Sequence, residues 1–154
     1  MLGYLLDTNH IDAVFLSKST VMNKINSLPG DTQIRVCAIT LGEIEAGHRM
    51  THTTNQRRRD DFAAFVNEKF LANALPISHS TRLSYAEIIS RIWKRHPPAN
   101  PKTRTEVHLL QLGVDINDVW VAAVAWEHGL IFVTRDKMKC IREAVVELQV
   151  ECWL

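Results

Sequence analysis

The chain has 154 residues, 46% of them hydrophobic and 23% charged, with 18 Lys plus Arg against 17 Asp plus Glu and a formal charge of +1. That length buries a sizeable core without disulfides or a structural metal, and the composition excludes a disordered or membrane-spanning chain. No run approaches the roughly 20 consecutive apolar residues of a membrane span, and MLGYLLDTNH lacks the basic start of a secretory leader. A single domain over residues 1–154 is expected, with a cytoplasmic address and no membrane partner. Cys37, Cys140 and Cys152 are odd in number and form no CxxC pair, so they are expected to be reduced core thiols.

Apolar runs of strand length stand at 3–6, 34–39, 74–77, 130–133 and 149–153, with helical periodicity in most of the gaps. Phe62, Phe65, Val66 and Phe70 mark one helix; Tyr85, Ala86, Ile89, Ile92 and Trp93 mark another. Pro97, Pro98 and Pro101 then interrupt the chain. The segment 119–126, VWVAAVAW, is apolar on every face and predicts a helix buried on several sides, with Gly129 placed to end it. Strands alternating with helices predict an α/β fold with a central, mainly parallel five-stranded sheet.

In an open parallel sheet, ligands bind outside the carboxyl ends of the strands, and here those ends are acidic. The first strand ends in Asp7, and the second runs through Thr40 to Glu43. Asp118 begins the apolar helix, and Asp136 follows the strand at 130–133. Four carboxylates from remote parts of the chain are thus expected to meet at one edge of the sheet. Two like charges about 4 Å apart repel by roughly 4 kcal/mol at an effective dielectric near 20, so such a gathering calls for a cation. An all-oxygen donor set suits Mg²⁺, with Mn²⁺ as the nearest substitute. Phosphodiester hydrolysis by an activated water is the chemistry such a site serves; no nucleophile elbow, Cys/His pair or phosphate loop competes with it.

Each acid also has a purely structural explanation. Glu43 lies three residues after Thr40, the capping-box spacing. Asp118 could serve the helix dipole in a first turn. Asp7 could begin a turn, and Asp136 could be an ordinary loop acid.

LLDTN, AITLGEIEAG, NDVWVAA and IFVTRD, in this order, resemble the successive signature blocks of PIN domains, with greatest likeness to toxins of the VapC type. The resemblance spans nearly the whole chain. It implies a three-layer α/β/α fold, with Asp7, Glu43 and Asp118 as core Mg²⁺ (or Mn²⁺) ligands and catalytic acids, Asp136 as the more variable fourth, and Thr8, Asn9 and Thr134 in support. It further implies an endoribonuclease leaving 5′-phosphate and 3′-hydroxyl ends, a homodimer, an RNA substrate and inhibition by a cognate VapB-like antitoxin. The stretch 94–115 is longer than the Gly/Pro connection usual in that family, and LPISHSTRLSYAEI lacks an acid often present after the third strand.

Residues 91–108 hold Arg91, Lys94, Arg95, Lys102 and Arg104 against one acid, Glu106, and are candidate RNA contacts. Arg57, Arg58 and Arg59 are followed at once by Asp60 and Asp61, the pattern of a solvated helix face. His48 and His52 have the i, i+4 spacing of a helical metal pair but no Glu follows His48. His10 lies close after Asp7 and could face the site, but reads first as a surface residue. Asp7→Asn is expected to abolish cleavage while raising stability through relief of repulsion. Two rival readings remain: a non-catalytic PIN-like module for RNA binding or assembly, and an α/β phosphotransfer protein, which the absence of a second acid in Asp7-Thr8-Asn9 disfavours.

Overall fold

A computed structural model describes residues 3–50 and 55–154. Strand β1 (Gly3–Leu6) is followed by helices α1 (Thr8–Phe15) and α2 (Ser19–Ser27), then β2 (Gln33–Arg35), α3 (Ala38–Met50) and α4 (Gln56–Lys69). The second half runs α5 (Thr81–Arg95), α6 (Thr105–Gln111), α7 (Ile116–Glu127), β3 (Ile131–Val133), α8 (Lys139–Ala144) and β4 (Val150–Glu151).

The strands form one parallel sheet in the order β2-β1-β3-β4. Side chains alternate along a strand, and the sheet is buried on both faces. Leu5 and Phe132 point into a core shared with Ile88 and Ile92 of α5 and with the apolar residues of α7. Tyr4, Leu6, Ile131 and Val133 point the other way, into a core with Ile11, Val21, Ile44 and Val66 from α1 to α4. The result is the expected three-layer α/β/α arrangement.

The sheet has four strands, not five. The segment 74–77 contributes only a bridge between Leu75 and Cys37. Leu75 donates to the Val36 carbonyl at 2.8 Å and accepts from Ala38 at 2.9 Å. Pro76 then has no N–H with which to extend the ladder. The run at 34–39 is likewise cut short, because α3 begins at Ala38 and takes Thr40 into a helix.

Helix α7 is buried along most of its length, as the all-apolar run predicts. Gly129 ends it with φ +63°. Its N–H reaches Trp126 and that of Leu130 reaches Ala125, a Schellman motif that needs the left-handed residue glycine supplies most cheaply. Helix α7 starts one residue after Asp115, whose side chain caps Asn117 at 2.7 Å, so Asp118 lies inside the first turn rather than at the start. Among the described residues no single helix is long and apolar enough to cross a membrane.

Candidate active site

Chain connections diverge on either side of β1: the chain leaves it for β2 on one flank and returns as β3 on the other. Such a switch opens a crevice beyond the carboxyl ends of the strands. A cavity of about 640 Å³ occupies that place and is lined by Asp7, Glu43, Asp118 and Asp136. Thr8, Asn9 and Asp115 share its wall, as do Lys137 and Lys139.

Asp7 is where β1 turns into α1. Its N–H still donates to Val133 at 3.0 Å, in register with the sheet. Its side chain caps α1, with Oδ1 accepting the His10 N–H at 2.9 Å. The same oxygen lies 2.8 Å from His10 Nδ1. Burial alone would push the Asp7 carboxyl up, but His10, through side chain and backbone, and the Thr134 hydroxyl outweigh it and hold Asp7 below the ordinary Asp range.

This bonding reverses one expectation: a carboxylate stabilised in its ionised form loses stability on neutralisation, so Asp7→Asn should weaken the fold, not strengthen it. His10 is also not a surface residue; it is fully buried.

Thr134 is buried just beyond β3. Its Oγ1 accepts the Asp136 N–H at 3.1 Å, so one hydroxyl group joins Asp7 to the Asp136 loop.

Glu43 projects from α3 and does not spend its carboxylate on a capping box. Oε2 accepts from the Thr8 hydroxyl at 3.1 Å, and Oε1 accepts from Asn117 Nδ2 at 2.9 Å. Asn117 precedes Asp118 on α7, so this bond draws α3 and α7 together across the cavity. Asp118 is half-buried and its carboxyl is pushed up to about 6, first by burial and then by the charges of Asp115, Asp136, Glu43 and Asp7. With Asp7, Glu43, Asp115, Asp118 and Asp136 set against Lys137 and Lys139 on one wall, the site keeps an excess of negative charge.

Among the described residues no three His, Cys, Asp or Glu side chains are gathered closely enough to ligate one ion directly. The chemistry of the donors nevertheless fits Mg²⁺, which keeps several waters and binds through one or two carboxylates.

The basic candidates lie elsewhere, and none of Arg91, Lys94, Arg95, Lys102 and Arg104 lines the acidic cavity. Arg91 pairs with Glu87 at 2.8 Å and Glu147 at 3.1 Å and lies over Trp126. Arg95 faces Glu143 and Arg104 faces Glu106, while Lys94 borders a separate groove with Tyr85 and Trp93.

The cations on the cavity wall are instead Lys137 and Lys139, from the segment 135–142 where they stand with Arg135 and Arg142 around Asp136. A second groove of about 410 Å³ continues from Thr8 and Glu43 along Asp12, Arg58, Arg59 and Phe62, so part of the arginine run faces the site region. His48 lies 3.7 Å from Asp60, and His52 falls outside the described residues. Cys37 is buried, whereas Cys152 is exposed and Cys140 borders the cavity, so only one of the three thiols is a core residue.

The molecule is a parallel α/β/α sandwich with acids collected at the switch point of its sheet. The PIN domain model matches residues 4–144, and the chain belongs to the PIN-domain family. PIN domains are generally nucleases.

No curated protein matches the chain significantly in sequence. Among solved structures, VapBC2 from Rickettsia felis bound to a DNA fragment from its promoter is similar at TM-score 0.68 and 18% identity, covering 99% of this chain and 100% of that one. VapBC-1 from nontypeable Haemophilus influenzae gives 0.67 and 19%, covering 99% and 98%. FitAcB from Neisseria gonorrhoeae gives 0.65 and 23%, covering 96% of each chain.

Proposed function

We propose that the chain is one domain acting as a metal-dependent endoribonuclease, the toxin of a VapBC-type toxin–antitoxin module in the cytoplasm. The observation that carries this reading is the shared cavity of Asp7, Glu43, Asp118 and Asp136, with Asp118 pushed up to about 6 by burial and its acidic neighbours. Asp7 and Asp118 would hold Mg²⁺ or Mn²⁺, with Glu43 and Asp136 completing the oxygen-rich surround. Bound there, the ion would supply an activated water and neutralise charge developing on the phosphate.

The residues of the chain do the rest. His10 and Thr134 keep Asp7 ionised and oriented. Thr8 and Asn117 fix both oxygens of Glu43. Lys137 and Lys139 stand where they would meet the phosphates flanking the scissile bond. VapBC-5 from Mycobacterium tuberculosis, another structural neighbour, is a member of the VapBC family of toxin–antitoxin systems, which supports a VapB-like partner for this chain; a homodimer is part of the same proposal.

The test is cleavage of a mixed RNA pool by purified, antitoxin-free protein in Mg²⁺ or Mn²⁺. Activity that is lost with chelator and in Asp118→Asn, with 5′-phosphate and 3′-hydroxyl products, supports the reading. Metal-independent cleavage, or full activity in that variant, refutes it. Tight RNA binding without cleavage would favour a non-catalytic module instead.

A further inference from the structure

His10 is fully buried and both of its ring nitrogens are engaged. Nε2 lies 3.1 Å from the backbone N–H of Trp153, just past β4. A backbone N–H can only donate, so Nε2 must present its lone pair. The ring proton is therefore on Nδ1, where it points at Asp7 Oδ1 2.8 Å away. Trp153 is itself immobilised: its indole N–H donates to Glu151 at 2.8 Å, and its ring meets the edge of Tyr4 at 5.0 Å and of His10 at 6.2 Å. A continuous line of fixed groups thus runs from the end of β4 to the first acid of the cavity.

From this line we infer that His10 is a positioning residue for Asp7, locked by the Trp153 backbone as the Nδ1–H tautomer so that it aims the carboxylate at a divalent cation. An N-capping aspartate needs only the backbone N–H of the third helical residue. The additional bond from a buried, tautomer-locked imidazole is more than capping requires. Together with the Thr134 hydroxyl it restricts the rotation by which Asp7 would leave the cavity. Groups that orient a ligating side chain are commonly worth 10- to 100-fold in metal affinity or activity. The inference rests on the nuclease reading, since it takes Asp7 as a ligand.

The test uses the full antitoxin-free chain, with Mn²⁺ as probe, in wild type, His10→Leu and His10→Asn. Leu fills the space without a donor, whereas the Asn amide can replace Nδ1–H. His10→Leu is expected to bind Mn²⁺ about tenfold more weakly by calorimetry, with kcat lowered and KM for RNA unchanged, and His10→Asn is expected to recover most of both.

In wild type, ¹H–¹⁵N spectra of the imidazole should show protonated Nδ1 and bare Nε2, and Mg²⁺ should shift the Nδ1–H resonance. These spectra decide the matter even if His10→Leu fails to fold. Unchanged Mn²⁺ affinity in a folded His10→Leu, an Nε2–H tautomer, or an Nδ1–H signal indifferent to Mg²⁺ overturns the role of His10 alone. A wild-type protein that binds no Mn²⁺ overturns the nuclease reading along with it.

Discussion

The Thr8 hydroxyl donates to Oε2 of Glu43 at 3.1 Å, joining the first turn of α1 to α3 across 35 residues of sequence. Because Thr8 follows Asp7 directly, the bond couples the placement of two acids that arrive on different elements. Thr8→Val keeps the shape and removes the donor. We expect a loss of about 1 kcal/mol or less in stability, since Glu43 remains exposed to solvent, together with a several-fold lower kcat. Equal kcat in Thr8→Val and wild type would show that Glu43 needs no such restraint.

Asp118 predicts how the metal-free protein responds to pH. Its pKa is about 6 in the fold against 3.8 unfolded, so the folded state binds the proton more tightly. The stabilisation is fully present below about pH 4 and is lost as pH rises through 6. Denaturant midpoints should fall across that window, by an amount on the order of 1 kcal/mol because the group is partly solvated. Asp118→Asn should flatten the dependence, raise stability at pH 7 and abolish cleavage. Divalent ions should restore more stability above pH 6 than below it; an equal effect on both sides of pH 6 would contradict the assignment.

Asp7 has the opposite sign. Its carboxyl is held below the ordinary Asp range, so its contribution is present above the unfolded pKa and disappears as pH falls through the lowered one. Asp7→Asn should therefore lower stability by about 1 kcal/mol, the usual scale of a weakened cap bond, while eliminating activity. A thermal midpoint above wild type for this variant at pH 7 would show that repulsion dominates at Asp7 after all.

The two kinds of basic residue should separate experimentally. Lys137→Ala and Lys139→Ala are expected to raise KM for RNA and to reduce the salt dependence of binding by about one ion each. Arg91→Ala should instead lower the thermal midpoint slightly, through lost pairing with Glu87 and Glu147 and lost stacking on Trp126, with KM unchanged. The reverse pattern would restore the stretch 91–108 as the RNA surface.

Much of this arrangement is legible in the residues. Strands ending in Asp7 and Thr134, an apolar helix carrying Asp118, and a helix carrying Glu43 follow from periodicity and from the rule that parallel sheets bind ligands at their carboxyl ends. What escapes is long-range pairing. Nothing local distinguishes His10 from a surface histidine, because the partner that buries it, Trp153, lies 143 residues away. Asn117 looks like a neighbour of Asp118 until α3 brings Glu43 to it. The basic stretch misleads partly for the same reason: Glu143 and Glu147 compensate its charge from near the end of the chain, joined by Glu87 one turn earlier on α5.

The amide of Asp7 is part of the ladder between β1 and β3, bonded to Val133 with the same 3.0 Å separation as an ordinary sheet contact. Local breathing therefore cannot displace the backbone of this acid; releasing it demands rupture of the central strands. Hydrogen exchange at that one amide should be among the slowest in the chain, so the rigidity available to chemistry there is borrowed from the global unfolding barrier rather than from a loop.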